Sequence, residues 1–213
     1  MKKIFFTHQI KSSFLGWAVA LLLPFIVGQS AFGQYTRTVC NDPYIRAFAQ
    51  TGTTFVGTGD DAVFNITLPF TFQYWGVNYT NVKASTNGFL VFPQTGTTRA
   101  LTNTAIPTAT TIIGAAMYPF WDDLDGNAAT SPNSGIYTRT DGVAPNRIFS
   151  IEWNEIGHFG DVAGQIVTFR VRLYETSNNI KFQYLDVFFG GTQAGFDRGA
   201  SATIGIEDVE TSG

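Results

Sequence analysis

Three aspartates fall within four positions in the stretch Tyr118-Pro119-Phe120-Trp121-Asp122-Asp123-Leu124-Asp125-Gly126-Asn127. Neighbouring carboxylates repel, so a fold that keeps them close uses them: they cap a tight turn, or they share a cation. Calcium takes roughly six to eight oxygens, several from carboxylates and turn carbonyls. Asp122, Asp123, Asp125 and Asn127 are therefore candidate calcium ligands. The spacing is not an EF-hand loop, because no glutamate stands at the twelfth position, and turn capping stays open beside cation binding. The aromatic half of the stretch implies a buried strand end anchored by Tyr118, Phe120 and Trp121. Asp125-Gly126 is the expected turn.

Other reactive side chains are few. After the leader described below, one histidine remains, His158, in Gly157-His158-Phe159-Gly160-Asp161. No G-x-S-x-G elbow or H-E-x-x-H accompanies it, so it reads as a loop residue rather than a catalytic base. Glu152 and Glu155 flank Trp153, as acids flank a ring in a sugar cleft, but strand alternation turns Glu152 away from Trp153. The expectation is a solvent-side glutamate. Trp75, Trp121 and Trp153 are the rings a carbohydrate-binding surface would use. Asn65-Ile66-Thr67 and Asn78-Tyr79-Thr80 match the N-glycosylation pattern.

The elements that must position these residues lie beyond an N-terminal address. Lys2, Lys3 and Lys11 precede the apolar run 18–27, and Ala31-Phe32-Gly33 offers small residues to a signal peptidase. Residues 1–33 read as a secretory signal peptide cut before Gln34. The apolar run falls short of the ~20 residues that span a bilayer, so no membrane insertion is expected after cleavage. Removing the leader takes three of the 13 Lys+Arg and none of the 16 Asp+Glu, leaving ten cations against sixteen anions. An acidic surface of this kind argues against nucleic acid as a partner. A single cysteine, Cys40, cannot form an internal bridge, so residues 34–213 must be one domain held by its own core. Cys40 itself reads as an inert, partly buried thiol or a site for pairing with another chain.

Twenty Phe, eight Tyr and four Trp accompany abundant Thr, Val and Gly, with only 14% charged residues. Such residues suit pleated, half-buried surfaces, and no segment shows a 3.6-residue apolar period. The expected strands are 62–68, 70–75, 79–86, 89–92, 111–118, 135–139, 147–153, 165–174, 180–185 and 202–206. Asn87-Gly88 is the clearest hairpin signal, of type I′. In 165–174, Val167, Phe169, Val171 and Leu173 face one way and Thr168, Arg170 and Arg172 the other. About ten short strands at this spacing predict an all-β, antiparallel two-sheet β-sandwich.

The order Leu68-Pro69-Phe70-Thr71-Phe72, Tyr79-Thr80, Ser85-Thr86-Asn87-Gly88-Phe89-Leu90, Pro119-Phe120-Trp121-Asp122-Asp123-Leu124, Gly135-Ile136-Tyr137 and Ala144-Pro145-Asn146-Arg147 resembles an exported β-sandwich module of large bacterial surface proteins, often from Bacteroidetes. It is similar to the nidogen-like (NIDO) extracellular domain, over roughly residues 50–208. The resemblance implies a secreted or outer-surface module, non-enzymatic, with an adhesion, binding or structural role. Its partners would be an extracellular protein, a glycan, or neighbouring domains of a longer chain of which this is the N-terminal piece. The alternative is a carbohydrate-binding module attached to a secreted hydrolase or peptidase.

Overall fold

The structure, a computed structural model, describes residues 3–9, 34–92, 102–106, 115–127, 131–160 and 163–208. Thirteen strands and one short, kinked 3-10 segment (Gly191–Gly199) account for its regular elements. The strands are β1 (Lys3–Gln9), β2 (Gln34–Cys40), β3 (Thr54–Gly57), β4 (Val63–Tyr74), β5 (Val77–Ser85), β6 (Phe89–Val91), β7 (Ala116–Trp121), β8 (Leu124–Asp125), β9 (Gly135–Asp141), β10 (Ile148–His158), β11 (Ile166–Tyr174), β12 (Ile180–Asp186) and β13 (Thr203–Glu207). They form two antiparallel sheets. The larger runs β2-β1-β12-β11-β10-β9-β3, with β8 also paired to β10, and the smaller runs β13-β7-β6-β5-β4.

The alternating sequences decide what lies between the sheets. Phe149, Ile151 and Trp153 of β10, Val167, Phe169, Val171 and Leu173 of β11, and Ile180, Phe182 and Tyr184 of β12 are all buried. They meet Ile66, Leu68, Phe70, Phe72, Phe92, Met117 and Phe120 from the other sheet in one core. Strand β7 is buried at every position because it is covered on both sides. Phe120 joins the main core, while Tyr118 and Trp121 pack with Phe89 and Val91 on the outer side of the smaller sheet. No helix among the described residues is long and apolar enough to cross a membrane.

Several local expectations need correction. Pro69 does not separate two strands: β4 runs through it, with a register shift between Thr67 and Phe72 that absorbs the missing N–H. The type I′ turn is not at Asn87-Gly88. It is Trp75-Gly76, where both residues have positive φ (48° and 81°) between the paired Tyr74 and Val77. A tryptophan rarely adopts that conformation. Here its ring packs edge-on against Tyr35 (5.2 Å) and Tyr74 (6.1 Å), which offsets the strain. Asn87-Gly88 instead closes a three-residue loop. Gly88 N donates to Ser85 O (3.2 Å), Ser85 pairs with Phe89, and only Gly88 takes positive φ (76°).

Before Asp125-Gly126, Leu124-Asp125 forms the short strand β8 against Gly157 and His158. His158 is the end of β10, not a loop residue. Of the expected leader, residues 1–2 and 10–33 lie outside the described residues, as do 111–114 of the expected strand 111–118. Lys3–Gln9 pairs with both β2 and β12. Cys40 is half-buried and makes no disulfide.

Candidate functional site

Three segments carry the chain from one sheet to the other: the last joins β12 to β13, and the first two bring the acidic residues together. Residues 58–62 lead from β3 to β4, and Asp122-Asp123 leads from β7 to β8. These two crossings run side by side. Gly126 N donates to Gly59 O (3.0 Å), the Thr58 hydroxyl donates to Gly126 O, and Asp60 bridges to Asp125. Their adjacency is what brings carboxylates of distant sequence together.

The Ser85–Gly88 loop locks both crossings. Asn87 Nδ2 donates to Asp61 (2.9 Å), Asn87 Oδ1 accepts from Leu124 N (2.8 Å), and Asn87 O accepts from Asp122 N (3.3 Å). Gly88 O accepts from Phe120 N (3.2 Å). A Cβ on Gly88 would lie 1.9 Å from Phe120 O, so no other residue fits. Trp153 completes the corner from the core side, its Nε1 donating to Ser85 O (2.8 Å). The loop and the aspartate stretch thus form one hydrogen-bonded unit.

The four expected calcium ligands do not converge. Asp122 is buried and points inward, where it accepts from the Ser201 hydroxyl and from Asp123 N (3.1 Å) and lies 3.7 Å from His158 Nε2. Burial works against its charge, but the hydrogen bonds from His158, Ser201 and Asp123 N outweigh it and hold the pKa below the usual 3.8. Asp125 accepts from Asn127 N (2.8 Å) in a local turn, and Asn127 is exposed. Asp123 alone turns to a carboxylate cluster, with Asp60 and Asp61, in which one oxygen from each lies within 4.8 Å of the others. Oxygens on a shared calcium at ~2.4 Å are separated by at most about 4.8 Å, so the three are spaced to hold one. Burial, and then like charge, raise the pKa of both Asp60 and Asp123. The motif Gly57-Thr58-Gly59-Asp60-Asp61 is readable in the sequence, but only the neighbouring crossings join it to Asp123.

Ser201, Asp122 and His158 are the residue types of a hydrolase triad in a different order. The carboxylate lies between hydroxyl and imidazole, whereas a base must touch the nucleophile it activates. The imidazole is buried and stacked on Phe196 (3.8 Å between centroids), with Phe189 edge-on (5.8 Å). The cluster ties the 3-10 segment and the stretch before β13 to the sandwich.

Glu152 faces away from Trp153 as expected, yet it is not on a solvent-side surface. Residues 44–48 fold over it, and its exposure is 0%. Its carboxylate accepts from Tyr44 Oη (2.8 Å), Ala47 N (2.8 Å) and Phe48 N (2.9 Å), with Arg170 Nη1 at 4.0 Å. Glu155 sits on the β10 bulge at φ 52° and binds Arg46 (2.7 Å). Trp121 and Trp153 are fully buried and Trp75 half-buried, so the three rings form no exposed platform. Asn65 and Asn78 are exposed.

A family model described as NIDO related matches residues 34–213. No curated protein and no solved structure matches the chain.

Proposed function

This chain belongs to the NIDO-related family, and from that premise we propose that it is a secreted or cell-surface β-sandwich module with an adhesion, binding or structural role, and not a catalyst. The match covers the whole stretch after the expected leader, and the family supports an extracellular-type module. Removal of residues 1–33 on export is part of the same proposal.

The observation that carries the reading is the use made of the reactive side chains. Asp122 joins Ser201 to His158 as a strut, and Glu152 is closed over by backbone amides. Both arrangements secure loops to the sandwich and engage the acid's oxygens with groups of the chain itself. A calcium ion held by Asp60, Asp61 and Asp123 would brace the two crossings in the same way.

The test is direct. The purified protein is offered panels of glycan and peptide substrates, and in parallel is immobilised and exposed to extracellular proteins and glycans. Saturable binding without turnover is expected. Turnover that disappears when one acid is replaced would overturn the proposal.

A further inference from the structure

On the outer face of the larger sheet, away from the aspartate cluster, four arginines converge on a small cavity of ≈ 240 Å³: Arg46, Arg139, Arg170 and Arg172, with Asp141 and Gln50. We propose that this cavity binds a single oxyanion group, a carboxylate or a sulfate ester, carried by a small extracellular anion or by an acidic sugar. The proposal does not depend on the adhesion reading, since an anion site serves a binding module and a catalyst alike.

Three observations carry it. The first is charge. Asp141 binds Arg139 Nε (2.6 Å), Glu155 binds Arg46 Nη1 (2.7 Å), and Glu152 lies 4.0 Å from Arg170 Nη1. Three carboxylates therefore answer three guanidiniums, and Arg172 is left without one. Among the described residues no hydrogen bond or ion pair engages it; its guanidinium lies 5.8 Å from the Tyr174 ring centroid. In a chain whose exported part carries an excess of acids, a locally uncompensated arginine stands out.

The second is unsatisfied hydrogen bonding. Arg139, Ser150 and Arg172 are direct cross-strand neighbours on β9, β10 and β11. Arg139 Nη1, Ser150 Oγ and Arg172 Nε are all buried with no partner, and Ser150 is only 1% exposed. Buried donors are expensive to leave unpaired, and Arg139 and Arg172, which line the cavity, each direct one at an acceptor still to be supplied. The planar guanidinium fork matches the two oxygens of a carboxylate or sulfate.

The third is rigidity. Arg170 is fixed by Gln183 Oε1 (2.9 and 2.7 Å) and Ile45 O (2.6 Å), and its guanidinium lies over the Tyr44 ring at 4.3 Å. The wall opposite the sheet is therefore already in place. The volume is below the ~300 Å³ of a drug-sized site and suits one anionic group with a few attached atoms.

Isothermal titration calorimetry at constant ionic strength provides the test, with sodium acetate, sodium sulfate, glucuronic acid and uncharged glucose as titrants. Saturable binding of at least one anionic probe is expected, absent for glucose and at least tenfold weaker in Arg172→Gln and in Arg139→Gln. Tighter binding of glucuronic acid than of acetate identifies an acidic sugar as the ligand, and equal binding a free anion. Arg172→Gln removes no hydrogen bond within the described residues, so it should fold, which circular dichroism checks; if it does not, Arg139→Gln decides. Saturation by no anionic probe, or equal affinity in the variants, would refute the proposal.

Discussion

Glu152 offers the sharpest test of how the larger sheet is capped. Its side chain is 0% exposed, and one oxygen accepts from Tyr44 Oη and Ala47 N while the other accepts from Phe48 N. In Glu152→Gln the amide oxygen keeps the first pair of bonds. The NH2 group then faces Phe48 N–H, leaving that donor unpaired, which costs about 1–3 kcal/mol. Glu152→Ala removes all three acceptor contacts and the countercharge 4.0 Å from Arg170, for about 3–5 kcal/mol. For a domain of this size each kcal/mol lowers the unfolding midpoint by about 2–4 °C, so the alanine variant should melt about 6–20 °C lower. The glutamine variant should fall between it and the native protein. Urea unfolding gives the free energies, and amide exchange at Ala47 and Phe48 reports whether residues 44–48 have lifted. Changes within about 0.5 kcal/mol in both variants, with those amides still protected, would place Glu152 among ordinary surface residues and refute the reasoning.

Calcium at a hundredfold excess over its dissociation constant should stabilise the native protein by about 2.7 kcal/mol, and Asp123→Asn should abolish the gain. Thermal unfolding with calcium and with a chelator measures this; an unchanged native midpoint leaves the carboxylates as turn-forming groups alone. Asn87→Ala strips the acceptor from Leu124 N and the donor to Asp61, and should cost about 2–3 kcal/mol in urea unfolding. A loss under about 0.5 kcal/mol would show that the loop does not hold the crossings. The Asp122 pKa is lowered from 3.8, so the stability it adds is present above that value and disappears as pH falls through the lower folded one. Urea midpoints should therefore drop more between about pH 5 and about pH 2 in the native protein than in Asp122→Asn, and equal drops would contradict the assignment. Finally, a chain starting at Gln34 should still unfold cooperatively, because the family match begins there, although it lacks the strand between β2 and β12 and the Phe6 and Ile4 side chains that pack in the main core. Loss of cooperative unfolding in that chain would show that Lys3–Gln9 is an integral strand.

The layers are legible in strand alternation alone. Alternation of Phe149, Ile151 and Trp153, and of Val167 through Leu173, identifies the inner faces, since side chains on a strand alternate sides whatever its neighbours are. The all-β class and the two sheets follow from such patterns, as does the burial of the strand before the aspartates on both faces. Local turn chemistry was less decisive. Asn87-Gly88 has the residues of a type I′ turn, but its partners Phe120, Asp122 and Leu124 hold it in a three-residue loop, and the type I′ geometry falls to Trp75-Gly76.

The roles of the polar residues depend on contacts between distant segments. Asp60 and Asp61 are more than sixty positions from Asp123, and they meet because two sheet crossings lie next to each other. Asp122 and Asp123 are adjacent in sequence yet face opposite environments, one toward Ser201 and His158 and the other toward the acidic cluster. Glu152 and Arg170 occupy outward positions that alternation assigns to solvent, and residues 44–48 cover them all the same. A strand's period specifies which side a residue faces. What covers that side depends on contacts between segments remote in the chain, and no local pattern encodes them.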